Sequence, residues 1–162
     1  IDLLVCFLRH RLPPGSTPFP YTTLFRSYAA LRPQNVAGVM ARGAASDLAG
    51  YHAWCRERQA AQPVLGEIAD AIAAAYGGPP ETAPAAYAAH SALALAERLT
   101  MPLFLAHGAA DTVIPVSQMR ALVGRLAHHP RLVFHEIPDG NHDSPLHAQT
   151  TPHALDWLLA RL

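Results

Sequence analysis

Hydrophobic and polar positions along this chain follow two rhythms. Three short runs are apolar almost throughout: "NVAGVMARG" (Asn35–Gly43), "MPLFLAHG" (Met101–Gly108) and "RLVFHEI", centred on Leu132–Ile137. Continuous apolar runs of this length, closed by Gly or by a loop, have the form of strands buried on both faces of a parallel sheet. Between them the pattern turns helical. Ser46 or Asp47 can cap "DLAGYHAWCRERQAA", Pro63 interrupts, and "VLGEIADAIAAAYGG" runs to Gly77 and Gly78. A Pro-rich turn, "PPETAP", precedes a short helical piece, "AAYAAHSALALAERL". In "VSQMRALVGRLAHH", Val116, Met119, Val123 and Leu126 recur at helical spacing and make one apolar face. Thr151 as cap, with Pro152 at the first helical position, opens a last helix, "HALDWLLARL". Strand, helices, strand, helix, strand, helix predicts an α/β fold on three parallel strands.

"PFPYTTLFRS" (Pro18–Ser27) shares neither the composition nor the rhythm of the Ala-rich chain after it. Its β-formers and its two prolines would make an edge strand. Phe19–Ser27 is also what the codons TTT CCC TAC ACG ACG CTC TTC CGA TCT encode, and that DNA resembles the end of a common sequencing-library adapter. Residues 1–27 are therefore expected to be non-native, with 28–162 the natural part. The whole is one domain's worth of chain: 162 residues, formal net charge zero, 51% hydrophobic. Balanced, scattered charge gives no reason to expect nucleic acid. The longest apolar run in the natural part is far short of a membrane span, and "IDLLVCFL" at the start lacks a basic n-region. With Cys6 set aside, Cys55 stands alone. A lone cysteine supplies no disulfide framework and fits a reducing compartment such as the cytoplasm, while the sequence leaves localisation open.

In open α/β sheets the working residues sit in loops beyond the C-terminal ends of strands. "HGAADTVIP" places Asp111 just past one strand end, and "IPDGNHD" places His142 past the next. A carboxylate and an imidazole from consecutive loops can meet over the sheet edge, the first holding the second in one tautomer. Gly108-Ala109-Ala110-Asp111 with Ile114-Pro115, a helix opening near Gln118, and Pro138-Asp139-Gly140-Asn141-His142-Asp143 together resemble the C-terminal third of the α/β-hydrolase fold. "GGPPETAPAAYAAHSAL…MPLFLAHGAADTVIPVSQ" looks closest to the prolyl-oligopeptidase-like and dienelactone-hydrolase-like branches. The resemblance covers Tyr28–Leu162 and implies a partial α/β-hydrolase fold whose three strands are the sixth to eighth of the family's sheet. It implies Asp111 as triad acid and His142 as triad base, with no cofactor and no metal. The branch's usual Arg-Ser pair before the seventh strand stands here as His90-Ser91.

One departure from the family decides the expectation. The nucleophile should lie on a G-x-S-x-G elbow upstream of Asn35, and the sequence contains no such motif. "YAALRP" (Tyr28–Pro33) reads as the end of the helix that follows the elbow, so the serine and both oxyanion donors are expected to be lost upstream. The chain is then a fragment of a serine hydrolase, inactive as written, whose parent cleaves a small ester or peptide substrate through an acyl-serine intermediate. Two other readings stay open: a non-catalytic α/β binding module using the surface around Asp111 and His142, and a fragment complementing a separately encoded half. In the fragment reading Val36–Arg42 presents an open sheet edge, with self-association expected through it, unless Tyr21–Phe25 patches it.

Each residue singled out has a plainer role to set beside the functional one. Asp111 could cap the helix at Val116, and His142 could be a solvated loop histidine. Asp139 and Asp143 read as turn formers beside Gly140, and His107 as a core histidine with its hydrogen bonds satisfied. A metal site on His142 and His147 lacks a third ligand at a recognised spacing. Cys55, beside Trp54, reads as packing. Arg42, Tyr51 and Trp54 either cover substrate or pack helices.

Overall fold

The computed structural model describes residues 4–8, 29–146 and 150–160. Among the described residues the sheet has four strands in the order β1 (Leu4–Leu8), β2 (Val36–Arg42), β3 (Leu103–Gly108) and β4 (Leu132–Ile137). β2, β3 and β4 are parallel, with Val39 opposite Leu103 and Leu103 opposite Leu132. Every residue of β3 is buried, as its apolar run requires of a strand covered on both faces. The period of two sorts its side chains. Leu103 and Leu105 pack with Val39, Ala41, Met119, Leu122 and Leu126, whereas Phe104 and Ala106 pack with Met40, Ala154 and Trp157.

Among the described residues, helices α1 (Leu48–Arg58), α2 (Pro63–Tyr76), α3 (Pro84–His90), α4 (Val116–Arg125) and α5 (Thr151–Leu159) flank the sheet, and residues 29–31 are also helical. Asp47 caps α1 by accepting from the Ala49 N–H at 3.2 Å. Pro63 opens α2, which closes on Gly77 at φ 79°, the left-handed cap that glycine adopts without a Cβ clash. The helical piece expected after "PPETAP" is shorter than the pattern suggests, because α3 stops at His90. The Ser91 hydroxyl there donates to Tyr87 O (2.8 Å) and accepts from Leu48 N–H (3.0 Å), which ties the chain to the start of α1 instead of continuing the helix. α1 and α2 close a smaller core of Tyr51, Cys55, Leu65, Ala69 and Ile114. No helix among the described residues is long and apolar enough to cross a membrane.

In the chain as a whole, the β2 edge that residues 28–162 alone would leave open is paired. β1 pairs antiparallel with β2, from Leu4 opposite Ala41 to Leu8 opposite Val36, with an irregularity between Phe7 and Leu8. An unpaired row of strand N–H and C=O groups is a template for any extended segment, and "LVCFL" has the β-propensity to take it. Tyr21–Phe25, the other segment considered for that edge, lies outside the described residues.

Candidate active site

The loops after β3 and β4 are stitched to one another before either presents a side chain. Ala109 N–H donates to Ile137 O at 2.9 Å and Ala110 N–H to Gly140 O at 2.8 Å. The approach is close enough that a Cβ on Gly108 would collide with the backbone oxygens of Asn141 and Gly140. Asp139 turns the second loop with φ 56°, a left-handed value that Asp tolerates better than most residues. Asn141 then locks the segment around His142. Its Oδ1 accepts from the N–H groups of Asp143 and Ser144, each at 3.1 Å, while its own N–H donates to the Ser144 hydroxyl at 2.9 Å.

These loops bring Asp111 and His142 together. His142 Nδ1 lies 2.8 Å from Asp111 Oδ2. The other carboxylate oxygen, Oδ1, accepts from Val113 N–H (2.8 Å) and Ile114 N–H (2.9 Å), an Asx-type turn that fixes the plane of the group. The Asp111 side chain has no exposed surface, whereas 19% of the His142 side chain is exposed. Burial alone would push the Asp111 carboxyl up. Hydrogen bonds from His107, His142 and the amides of Ile114 and Val113 outweigh it and hold the group well below the usual carboxylate range. An ionised carboxylate facing Nδ1 requires the proton there, so Nε2 keeps the lone pair that a general base needs.

Three features of the site are not legible in the pattern. Gly43, directly after β2, has φ 58°, and a Cβ there would lie 3.3 Å from His142 O and 3.4 Å from its Cε1. The sequence signal is only a glycine at a strand end. His107 is a core histidine, as expected, but not a fully satisfied one: its Nε2 stands 2.8 Å from Ile114 O and 3.2 Å from Asp111 Oδ2, and its Nδ1 is buried without a hydrogen-bond partner among the described residues. Asn141 has no role that the sequence alone assigns.

The remaining residues singled out fall mostly to packing. The Tyr51 hydroxyl donates to Val113 O at 3.0 Å, holding the Asp111 loop from α1. Trp54 packs beside that second core, with the Arg58 guanidinium 4.6 Å above its ring. Cys55 is fully buried, and burial pushes its thiol up, away from nucleophilic use. Arg42 reaches Pro145 O at 3.3 Å. Ser91, the residue matching the branch's substrate-binding pair, is buried and occupied with backbone groups. No group of three or more His, Cys, Asp or Glu among the described residues could hold a metal ion, and His147 lies outside them.

No protein-family model matches the chain, and no curated protein matches its sequence. Solved structures do. An esterase of Pyrococcus furiosus superposes with a TM-score of 0.57 at 12% identity, over 86% of this chain and 50% of the esterase. A protein of Mycobacterium tuberculosis described as a putative non-heme bromoperoxidase superposes with a TM-score of 0.51 at 14% identity, over 86% of this chain and 64% of that one. Both have the α/β-hydrolase fold, and at these identities the likeness establishes that fold for the present chain and nothing finer. The chain spans about half to two thirds of the length of these neighbours.

Proposed function

We propose that this chain carries the acid and base of a serine-hydrolase triad, Asp111 and His142, whose parent cleaves an ester or peptide bond through an acyl-serine intermediate. The observation that carries the reading is the 2.8 Å contact from His142 Nδ1 to a buried carboxylate that two backbone amides hold in plane. In this role His142 Nε2 takes the proton of the serine hydroxyl and later returns it to the leaving group. Asp111 meanwhile holds the tautomer and stabilises the imidazolium. The sequence has no G-x-S-x-G elbow, so nothing in it supplies the nucleophile or the amide that follows it in an oxyanion hole. Loss of such donors is worth about 2.7–4 kcal/mol of transition-state stabilisation each. As written, the chain is expected to be inactive. The adapter-like Phe19–Ser27 supports placing the missing serine on a natural segment that once preceded Tyr28.

The deciding experiment reads the source DNA upstream of the Tyr28 codon and expresses the restored frame. Turnover of a p-nitrophenyl ester or a chromogenic peptide that is lost in His142→Ala supports the proposal. An uninterrupted frame through PFPYTTLFRS, without a serine elbow, favours a non-catalytic binding module instead.

A further inference from the structure

We propose that His107 is a positioning residue that shares the Asp111 carboxylate with His142 and so sets how strongly that carboxylate holds the His142 proton. The proposal rests on reading Asp111 and His142 as an acid–base pair. His107 stands next to last in β3 and is fully buried. Its Nε2 faces two acceptors, Ile114 O at 2.8 Å and Asp111 Oδ2 at 3.2 Å, so this nitrogen carries a proton and divides it between them. Oδ2 is the same oxygen that faces His142 Nδ1. Nδ1 of His107 finds no hydrogen-bond partner among the described residues. A buried strand position is filled at lower cost by Leu or Phe. An imidazole kept there with one nitrogen unsatisfied marks a position held for what its other nitrogen does.

The chemistry comes from the shared oxygen. Each N–H that donates to Oδ2 draws charge from it and weakens its pull on the other donor. His107 therefore limits the basicity that Asp111 imposes on His142, and its fork to Ile114 O ties that limit to the same turn that fixes the carboxylate plane. Among the described residues, Asp111 faces the His142 ring directly and His107 faces the shared carboxylate oxygen; of the charged groups at the neighbouring strand ends, Arg42 at the end of β2 reaches Pro145 O and Glu136 of β4 pairs with Arg120. Asp139 and Asp143 share the ring's own loop.

The histidine-labelled chain of residues 1–162, followed by NMR across pH, tests this without substrate. In His107→Leu the His142 titration midpoint is expected to rise by about half a unit or more, because the freed carboxylate holds the imidazolium more tightly. In His107→Gln, whose side-chain N–H reaches where Nε2 does, the midpoint returns most of the way. An unchanged or lowered midpoint in folded His107→Leu overturns the proposal. If that variant does not fold, the His107 Nε2–H resonance decides. It is expected to move when Asp111→Asn is introduced; an unmoved resonance would mean that Ile114 O is its sole acceptor, and the proposal fails. The acid–base pair itself is checked separately, since Asp111→Asn must lower the His142 midpoint for that reading to stand.

Discussion

On the β3–β4 side of the sheet, two parallel strands end in loops that are hydrogen-bonded to each other, and Asp111 and His142 meet on those loops. On the β1–β2 side the pairing is antiparallel and slips in register between Phe7 and Leu8. Leu4 pairs with Ala41, so β1 begins at the site edge and runs away from it. The contrast separates two tasks that a sheet performs. An antiparallel strand satisfies the backbone groups of β2 as well as a parallel one would. It does not bring a C-terminal strand end to the site rim, which is where α/β sheets place their reactive loops. One side of this sheet therefore brings Asp111 and His142 together, and the other closes an edge.

The largest expected effect comes from breaking the stitched side. Gly108→Ala puts a Cβ against two backbone oxygens that the turn at Gly140 holds in place. The loops must separate, and we predict a loss of about 3 kcal/mol in urea unfolding, with loss of the Asp111–His142 contact. A variant within about 0.5 kcal/mol of the parent would show the two loops to be less tightly joined than their hydrogen bonds imply. Asp111→Asn is next. It keeps an oxygen for the amides of Val113 and Ile114 but sets an NH2 against two imidazole N–H groups, at a cost of about 1–3 kcal/mol at neutral pH. The sign with pH comes from the depressed carboxyl. Its contribution is fully present above the ordinary carboxylate value near 3.9 and is lost as pH falls toward the lower folded value. The gap between Asp111→Asn and the parent should narrow steadily in melts taken below about pH 4. A gap constant with pH would mean that Asp111 is not held ionised by its partners.

How much of this is legible in the sequence depends on the range of the interaction. β4 begins and ends where the apolar run does, and β2 and β3 lie within theirs, because burial on both faces writes itself into consecutive residues. The placement of Asp111 and His142 is legible because lying just past a strand end is a local fact of the sequence, and the structure brings the two within 2.8 Å. Gly43 is not. Its left-handed φ and its contact with His142 join two loops from opposite parts of the chain. The stop of α3 at Ser91 is hidden for the same reason, since Leu48 N–H, which fills the Ser91 hydroxyl, comes from another helix. His107 reads as one more buried position in an apolar run until Ile114 O and Asp111 Oδ2 are seen on either side of its proton. β1 is hidden differently: its residues read as foreign to the natural chain. Pairing with an open edge requires only extended, apolar backbone, not shared ancestry.

The smallest effect on the site should come from the other side of the sheet. Cys6 pairs with Val39 in the middle of β1, and Cys6→Pro removes a backbone N–H and bends the strand out of the ladder. We predict a loss of about 1–2 kcal/mol in unfolding stability, the scale of one or two ladder hydrogen bonds. The His142 titration midpoint should stay where it is, because the described hydrogen bonds that hold the Asp111 carboxylate come from the Asp111 turn, His107 and His142. Sedimentation velocity then reads the edge itself. A bared β2 should pair with a second copy, giving a dimer fraction that grows with concentration. A moved midpoint would join the two sides of the sheet into one device, with β1 acting on the imidazole through β2 and Gly43. An unmoved one would leave β1 replaceable by any strand, including a parallel one that brings a reactive loop of its own.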